Sequence, residues 1–290
     1  MRSYTLAEAT REAMKKFNIR ASKKYGQNFL VDEKVLENIL YTAKVDKEDC
    51  ILEIGPGLGT MTRLLCQRAN KVVAVEIDRQ MINALKINMF GHENFNLINE
   101  DIMKIDINSL LEDNFGDRKC KVVANLPYYI TSPIIMKLLE EKLNLHSITL
   151  MVQKEVAQRI AAIPGGKEYG ALSVAVQYYS IPEITDIVPK TAFMPQPGVD
   201  SAVIHLLIRN EPPIKVLDEF MFFRVVQASF AQRRKTLLNS LAGSNLGLDR
   251  KDIEIILKNC GIEPMRRGET LSLNEFALLA DDISLFLKKK

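Results

Sequence analysis

The stretch Cys50-Ile51-Leu52-Glu53-Ile54-Gly55-Pro56-Gly57-Leu58-Gly59-Thr60 decides how this chain folds. Its first five residues are apolar apart from one acid, the content of a strand buried on both faces. Glycines at 55, 57 and 59 follow, so the backbone can turn sharply and pass close to a ligand. A helix-like run over 60–69 comes next. Strand, glycine-rich turn and helix in that order open a parallel α/β sheet, whose ligands lie beyond the carboxyl ends of the strands.

Outward from this unit, strand patterns over 71–76, 95–98, 122–124 and 148–152 alternate with helical runs that include 78–88 and 132–143. The spacing predicts a mostly parallel, doubly wound sheet with right-handed crossovers. Strand-like segments over 178–188 and 201–208 are joined by a proline-rich connection containing Pro189, Pro195 and Pro197, which predicts an antiparallel pair closing one edge. Upstream, Thr5 and Glu8 have capping-box spacing, and Leu6, Ala9, Ala13 and Phe17 predict a helix ending near Asn18. A second helix is expected from Asp32, burying Val35, Leu36, Ile39 and Leu40. Glu211-Pro212-Pro213 marks a boundary, beyond which only helical patterns occur, over 217–230, 234–241, 252–260 and 273–287. The expected division is a ligand-binding catalytic domain over 1–208, with 1–24 as a basic extension, and a smaller all-helical domain over 209–290.

With 290 residues and 47% hydrophobic content the chain can build a substantial core. No apolar run is long enough to span a bilayer, and the N-terminus lacks the apolar centre of a secretory signal. Cys50, Cys66, Cys120 and Cys260 are scattered and there are three histidines, so neither a metal site nor a disulfide framework is expected. This usage points to the cytoplasm. The net charge of +3 is unevenly spread. Residues 1–24 carry seven Lys/Arg against two Asp/Glu, and 209–290 carry 14 against 11, leaving an acidic middle. Basic ends around an acidic centre suit contact with a polyanion.

The loop at 55–59 is not the dinucleotide fingerprint, because Thr60 stands where its third glycine would be. Its alternating glycines, with Glu53 on the strand before them, instead match S-adenosylmethionine (AdoMet) sites, where an acid tolerates an ammonium group and would repel a pyrophosphate. Glu76 ends the next strand, 19 residues beyond Gly57, and suits the two ribose hydroxyls. Asp101, in Asn99-Glu100-Asp101-Ile102, can accept from an adenine amino group. Asn125-Leu126-Pro127-Tyr128 follows another strand. The Asn125 side-chain oxygen and a carbonyl at Leu126 or Pro127 can accept from the amino group of a target adenine, while Tyr128 stacks on its ring. Such a base must leave its stack, so a second aromatic face is expected, and Phe193 is the candidate.

Taken in order, these segments strongly resemble the ribosomal RNA adenine dimethyltransferase family, nearest its small-subunit branch, whose loss gives kasugamycin resistance. The resemblance runs from about Lys23 to Phe276. It is carried by Gly26-Gln27-Asn28-Phe29-Leu30, the glycine loop, Val75-Glu76-Ile77-Asp78 and Asn125-Leu126-Pro127-Tyr128-Tyr129. It continues through Gln153 to Arg159, Tyr169 to Ser173, Phe193 to Ser201 and Phe230-Ala231-Gln232-Arg233-Arg234-Lys235. The resemblance implies a Rossmann-like AdoMet-dependent sheet with a helical RNA-binding domain, and AdoMet contacts at Asn28, Leu30, Gly55, Gly57, Glu76, Asp101, Ile102 and Asn125. It also implies transfer of two methyl groups to N6 of each of two adjacent adenosines. These lie in the 3′-terminal hairpin loop of small-subunit rRNA, within an immature 30S particle. A monomer is implied by analogy. Lys23, Lys24, Arg233, Arg234, Lys235, Arg266 and Arg267 are the candidate RNA contacts, with Arg233 to Lys235 expected to open a helix and Arg266 and Arg267 in a loop. Two alternatives stay open: methylation of large-subunit rRNA, and a non-catalytic assembly factor that keeps the AdoMet fold.

Overall fold

The computed structural model describes residues 5–22 and 25–289. In chain order the elements are α1 (Leu6–Lys16), β1 (Phe29–Leu30), α2 (Glu33–Ala43), β2 (Cys50–Ile54), α3 (Thr60–Arg68), β3 (Lys71–Glu76), α4 (Arg79–Asn88) and β4 (Phe95–Asn99). Then come α5 (Ile107–Phe115), β5 (Cys120–Asn125), α6 (Thr131–Glu140), β6 (Leu145–Gln153), α7 (Lys154–Ile160), α8 (Ala171–Tyr179), β7 (Ser180–Val188), β8 (Phe193–Met194) and β9 (Ser201–Ile208). The helices α9 (Glu219–Phe230), α10 (Leu237–Ala242), α11 (Arg250–Asn259) and α12 (Leu273–Lys289) end the chain.

The main sheet has the order β4-β3-β2-β5-β6-β9-β7. Strands β4, β3, β2, β5 and β6 are parallel, and β9 runs antiparallel to β6. Every residue of β2 is buried, as its near-continuous apolar run requires of a central parallel strand. The sequence order β2, β3, β4 proceeds one way from β2 and β5, β6 the other, so β2 and β5 flank the topological switch point. A separate pair, β1 with β8, joins Phe29 to Met194 and Leu30 to Phe193. One face of the sheet is sealed by α2 and α3, whose Leu36, Ile39, Leu40 and Leu65 share a core with Ile51, Val72, Val123, Met151 and Val203. At the N-terminus the Thr5–Glu8 capping box is present, and α1 stops at Phe17.

The chain divides into two compact units, one of residues 1–157 and 181–208, the other of 158–180 and 209–290. The second therefore also takes in 158–180, which the expected boundaries placed with the sheet. Tyr169, Val174 and Tyr178 are the reason, since they share its core with Phe222, Val225, Leu241, Ile256 and Phe276. Tyr178 and Tyr179, expected in a strand, form the last turn of α8. The Tyr178 ring lies 5.1 Å from that of Phe222, and Tyr179 stacks on Phe223 at 5.6 Å. Aromatic content suits a strand, but these rings are satisfied by helical neighbours. Helix α5 was not signalled, although Asp106 caps it by accepting from the Ser109 N–H. Among the described residues no helix is long and apolar enough to cross a membrane.

Arg234 does not start a helix. Thr236 is extended, with ψ 158, and its hydroxyl accepts from the Asn239 N–H, so α10 begins at Leu237 and Arg233-Arg234-Lys235 occupy the preceding turn. Arg266 is in a loop as expected, but its guanidinium is engaged. It pairs with both carboxylate oxygens of Glu275 and donates to the Thr270 carbonyl at 2.7 Å. Glu275 also completes the capping box with Ser272 at the start of α12. Hydrogen bonds from Arg266 hold the Glu275 carboxyl below the usual carboxylate range. The stability this contributes is present at neutral pH and lost as pH falls through the lowered value. Arg266→Ala is expected to cost on the order of 1 kcal/mol of stability. Thermal melts at pH 7 and pH 3 check this: the gap between variant and wild type should shrink at the lower pH.

Candidate active site

The carboxyl ends of β2, β3, β4 and β5 open into a cleft of about 1130 Å³, open solvent included. Parallel pairing sets Ile54 opposite Val75 and Ala124, so the next residues, Gly55, Glu76 and Asn125, stand level at the carboxyl end of the sheet. Gly55 lines the cleft with φ +70, and a Cβ there would meet no atom within 4 Å. The Gly57 N–H donates to Glu76 Oε2 at 3.1 Å and the Asp78 N–H to Oε1 at 2.8 Å. A carboxylate oxygen accepts at two positions, so each retains one for a ligand hydroxyl. Burial, at 5% exposure, pushes the Glu76 pKa up, against the opposing pull of these N–H groups. Asp101 lies past the end of β4, where Oδ1 accepts the Met103 N–H at 3.0 Å. Ile77 and Ile102 add apolar surface to the same cleft.

Glu53 is 1% exposed, and its Oε2 is buried without a hydrogen-bond partner. Burial, with the nearby Glu76 charge, pushes its pKa up to about 8. A buried carboxyl with an unused oxygen on the cleft lining is well suited to a cationic group, which would return it to the ionised form.

On the other side of the switch point, Asn125 Nδ2 donates to the Asn28 carbonyl at 3.2 Å. A carbonyl can only accept, so the amide is oriented with Oδ1 left for a donor. Asn28 belongs to the segment between α1 and β1, which is tied down twice more. Gln27 Nε2 donates to Asp78 at 2.7 Å, and Gln27 Oε1 accepts the Ser22 N–H at 2.8 Å. Leu126 is core, 1% exposed, so only its backbone can serve chemistry. The Pro127 carbonyl already accepts from the Ile130 N–H and the Thr131 hydroxyl, at 3.2 and 3.1 Å. Of the two carbonyls expected to receive an amino group, Leu126 is therefore the better placed. Tyr128 is half-buried, its hydroxyl 2.6 Å from Ser201 Oγ, and burial raises its pKa.

The glycine loop, the Glu76 carboxylate and the oriented Asn125 amide thus share one cleft. The profile of the family described as "Ribosomal RNA adenine dimethylase" matches residues 18–279. The chain belongs to that family. A protein of Clostridioides difficile (strain 630) named "Ribosomal RNA small subunit methyltransferase A" is 49% identical over 282 residues, 97% of each chain. One of Alkaliphilus oremlandii with the same name is 48% identical over 275 residues, 95% of this chain and 96% of its own. Among solved structures, a dimethyladenosine transferase from Plasmodium falciparum superposes with TM-score 0.75 at 27% identity, covering 90% of this chain and 98% of its own. The 23S rRNA methyltransferase ErmE gives 0.66 at 26%, covering 89% and 100%.

For this dimethylase family member, the residues expected from sequence converge closely. Asn28, Leu30, Gly55, Gly57, Glu76, Asp101 and Ile102 line the cleft, and so do Asn125, Leu126, Pro127 and Tyr128. Phe193 does not. It is 4% exposed, in the core cluster that holds Leu30, Ile39, Met151 and Val203, because the β1–β8 pairing sets it opposite Leu30. It therefore offers no stacking face to the cleft. Tyr25, Phe29, Ile77 and Tyr129 also line the cleft, although no role is assigned to them from sequence. Phe29, Ile77 and Tyr129 lie inside the quoted segments and Tyr25 directly precedes one, which is the signal that could have flagged them.

The candidate RNA contacts fare unevenly. Lys23 and Lys24 lie outside the described residues. Arg234 and Lys235 are exposed in the turn before α10, and Arg233 donates to the Lys167 carbonyl. Arg267 is half-exposed, 4.0 Å from Glu269. Arg266 is committed to Glu275.

Glu53 makes stability pH-dependent in a defined direction. Its folded pKa of about 8 lies above its ordinary value of 4.5, so folding retains a proton that the unfolded chain releases. The stability gained is complete below the lower value and is lost as pH rises toward the higher. Glu53→Gln should remove this term, flattening the decline in melting temperature between about pH 5 and pH 8 by an amount worth roughly a few kcal/mol at most. Parallel pH-dependent melts of variant and wild type measure it.

Proposed function

We propose that this protein transfers methyl groups from S-adenosylmethionine to N6 of two adjacent adenosines in the 3′-terminal hairpin loop of small-subunit rRNA, giving N6,N6-dimethyladenosine. It acts as a cytoplasmic monomer on an immature small subunit. The observation that carries the reading is the Asn125 amide, turned by the Asn28 carbonyl so that Oδ1 is available on the cleft that holds the nucleoside-type acids. The names of the relatives at 48% and 49% identity support the small subunit as target.

The residues present fit the methyl donor. Glu76 keeps one acceptor position on each oxygen for two ribose hydroxyls, Asp101 can accept from the adenine amino group, and Ile77 and Ile102 offer apolar contact to its ring. The unpartnered oxygen of Glu53 suits the ammonium end, and the open side of Gly55 leaves room for the chain between. When bound, S-adenosylmethionine supplies an electrophilic methyl on a sulfonium. The protein's own part is to prepare the acceptor nitrogen. An adenine N6 is a weak nucleophile because its lone pair is shared with the ring. Asn125 Oδ1 and the Leu126 carbonyl accept its two N–H bonds, favouring a pyramidal nitrogen and aiming the lone pair. Tyr128, held by Ser201, stacks on the base. Orientation and fixed dipoles supply the catalysis, and no strong general base is needed because the nitrogen becomes acidic once alkylated. In the helical unit, Arg233, Arg234, Lys235 and Arg267 provide the phosphate contacts, while Arg266 serves the fold.

Unmethylated small subunits and labelled S-adenosylmethionine test the assignment, with the product nucleoside read by mass spectrometry. Dimethyladenosine in small-subunit RNA is the expected product; label in large-subunit RNA would select the activity named for ErmE. Asn125→Ala should fold normally and lose roughly 10²–10³-fold in kcat/KM. Glu76→Ala should weaken donor binding by about ten- to a hundredfold in calorimetry while RNA affinity holds. Replacing Arg233 and Arg234 by Ala should lower the salt dependence of subunit binding by about one unit of log–log slope for each phosphate no longer neutralised.

A further inference from the structure

Tyr128 and Tyr129 are consecutive, both line the cleft, and they sit in very different environments. Both belong to a single 3₁₀ turn over Tyr128–Ile130, in which successive side chains diverge by about 120°. Tyr128 is half-buried and tied to Ser201. Tyr129 is 60% exposed, an unusual amount for a large aromatic ring on the wall of a binding cleft. Its ring also has a close neighbour. Gly26 has φ +56, and a Cβ built there would come within 3.3 Å of Tyr129 Cδ1 and 3.6 Å of Cε1. The ring therefore occupies the space that a side chain at position 26 would need, beside a segment fastened through Gln27 to Asp78 and through Asn28 to Asn125. An aromatic ring on the cleft wall that is largely exposed to solvent is a stacking platform.

The chemistry of the site says what such a platform would take. Drawing one adenosine out of a loop and onto Tyr128 strips its neighbour of a stacking partner. The neighbour is covalently attached one nucleotide away, as Tyr129 is one residue from Tyr128. We infer that Tyr129 is a second base-binding subsite, stacking the purine adjacent to the one held for methylation. This rests on the reading that two neighbouring adenosines are the substrate. It gives that reading a physical device: when one adenosine occupies the Asn125 pocket, the other is parked on Tyr129 rather than left in solvent. Stacking needs only a π-face, so the subsite accepts an unmodified or a dimethylated neighbour alike.

The test pairs a change in the protein with a change in the RNA. Small subunits are reconstituted with both adenosines intact, or with one of the pair replaced by an abasic residue, and kcat/KM for methylation of the remaining adenosine is measured. For wild-type protein the abasic substitution should cost about tenfold. Tyr129→Ala should cost a similar factor on intact subunits and show little further loss on abasic ones, because the stacking removed is the same. Tyr129→Phe, which keeps the π-face, should restore wild-type behaviour on both. Melting curves establish that each variant is folded. A wild-type enzyme indifferent to the abasic residue, or a Tyr129→Ala variant as sensitive to it as wild type, overturns the subsite. Failure of the wild-type protein to form dimethyladenosine on intact small subunits removes the underlying reading, and the subsite with it.

Discussion

Ile54 lies opposite Ala124 in the β2–β5 pair, and much of the site depends on that register. It releases the glycine loop and the Asn125 amide from adjacent strands at the same level of the sheet. Both strands are apolar and buried almost throughout. A slip by one residue would exchange the faces of every side chain on a strand, so burial enforces the register strongly. The glycine loop and the Asn125 amide are thus positioned by the same hydrophobic packing, through backbone that cannot easily move. The switch point between β2 and β5 supplies the opening without any special cavity having to be carved.

Around this rigid base the polar groups are arranged for use. The Glu76 carboxylate is held by two backbone N–H groups that fix it without exhausting it, and the Asn125 amide is turned by a single carbonyl acceptor. Glu53 is the costly member. Burial and a like charge keep it protonated near neutral pH, an arrangement that gains only when a cation arrives. The segment from Tyr25 to Leu30 is the counterpart on the chain's N-terminal side. Its cleft contacts come from an irregular stretch secured by Gln27 at one end and by the β1–β8 pair at the other. Loss of either fastening would loosen Asn28, and through it the Asn125 amide.

Much of this was legible in the residues. The strand order of acids, the alternating glycines and the Asn-Leu-Pro-Tyr tetrapeptide all fall where periodicity and strand-end logic put them, because each is a local signal read against one buried strand. The failures share a cause. Tyr178 and Tyr179 look like strand residues, yet rings from α9 claim them for a helix. Arg234 has helical neighbours, yet the extended backbone of Thr236 ends the pattern. Arg266 looks like a free cation and is instead the partner of Glu275. Phe193 has the chemistry of a stacking face and is buried by a two-residue strand pairing too short to leave a periodic trace.

By itself the sequence determined the class of fold and placed the glycine loop, the strand-end acids and the Asn125 amide at one edge of the sheet, since these depend on residue type at fixed offsets from single strands. The tertiary structure alone decided which aromatic rings line the cleft, how the Asn125 amide is turned and which arginines are engaged within the fold. Those outcomes depend on what lies across a gap of a few ångströms, and no spacing along one strand encodes that neighbour.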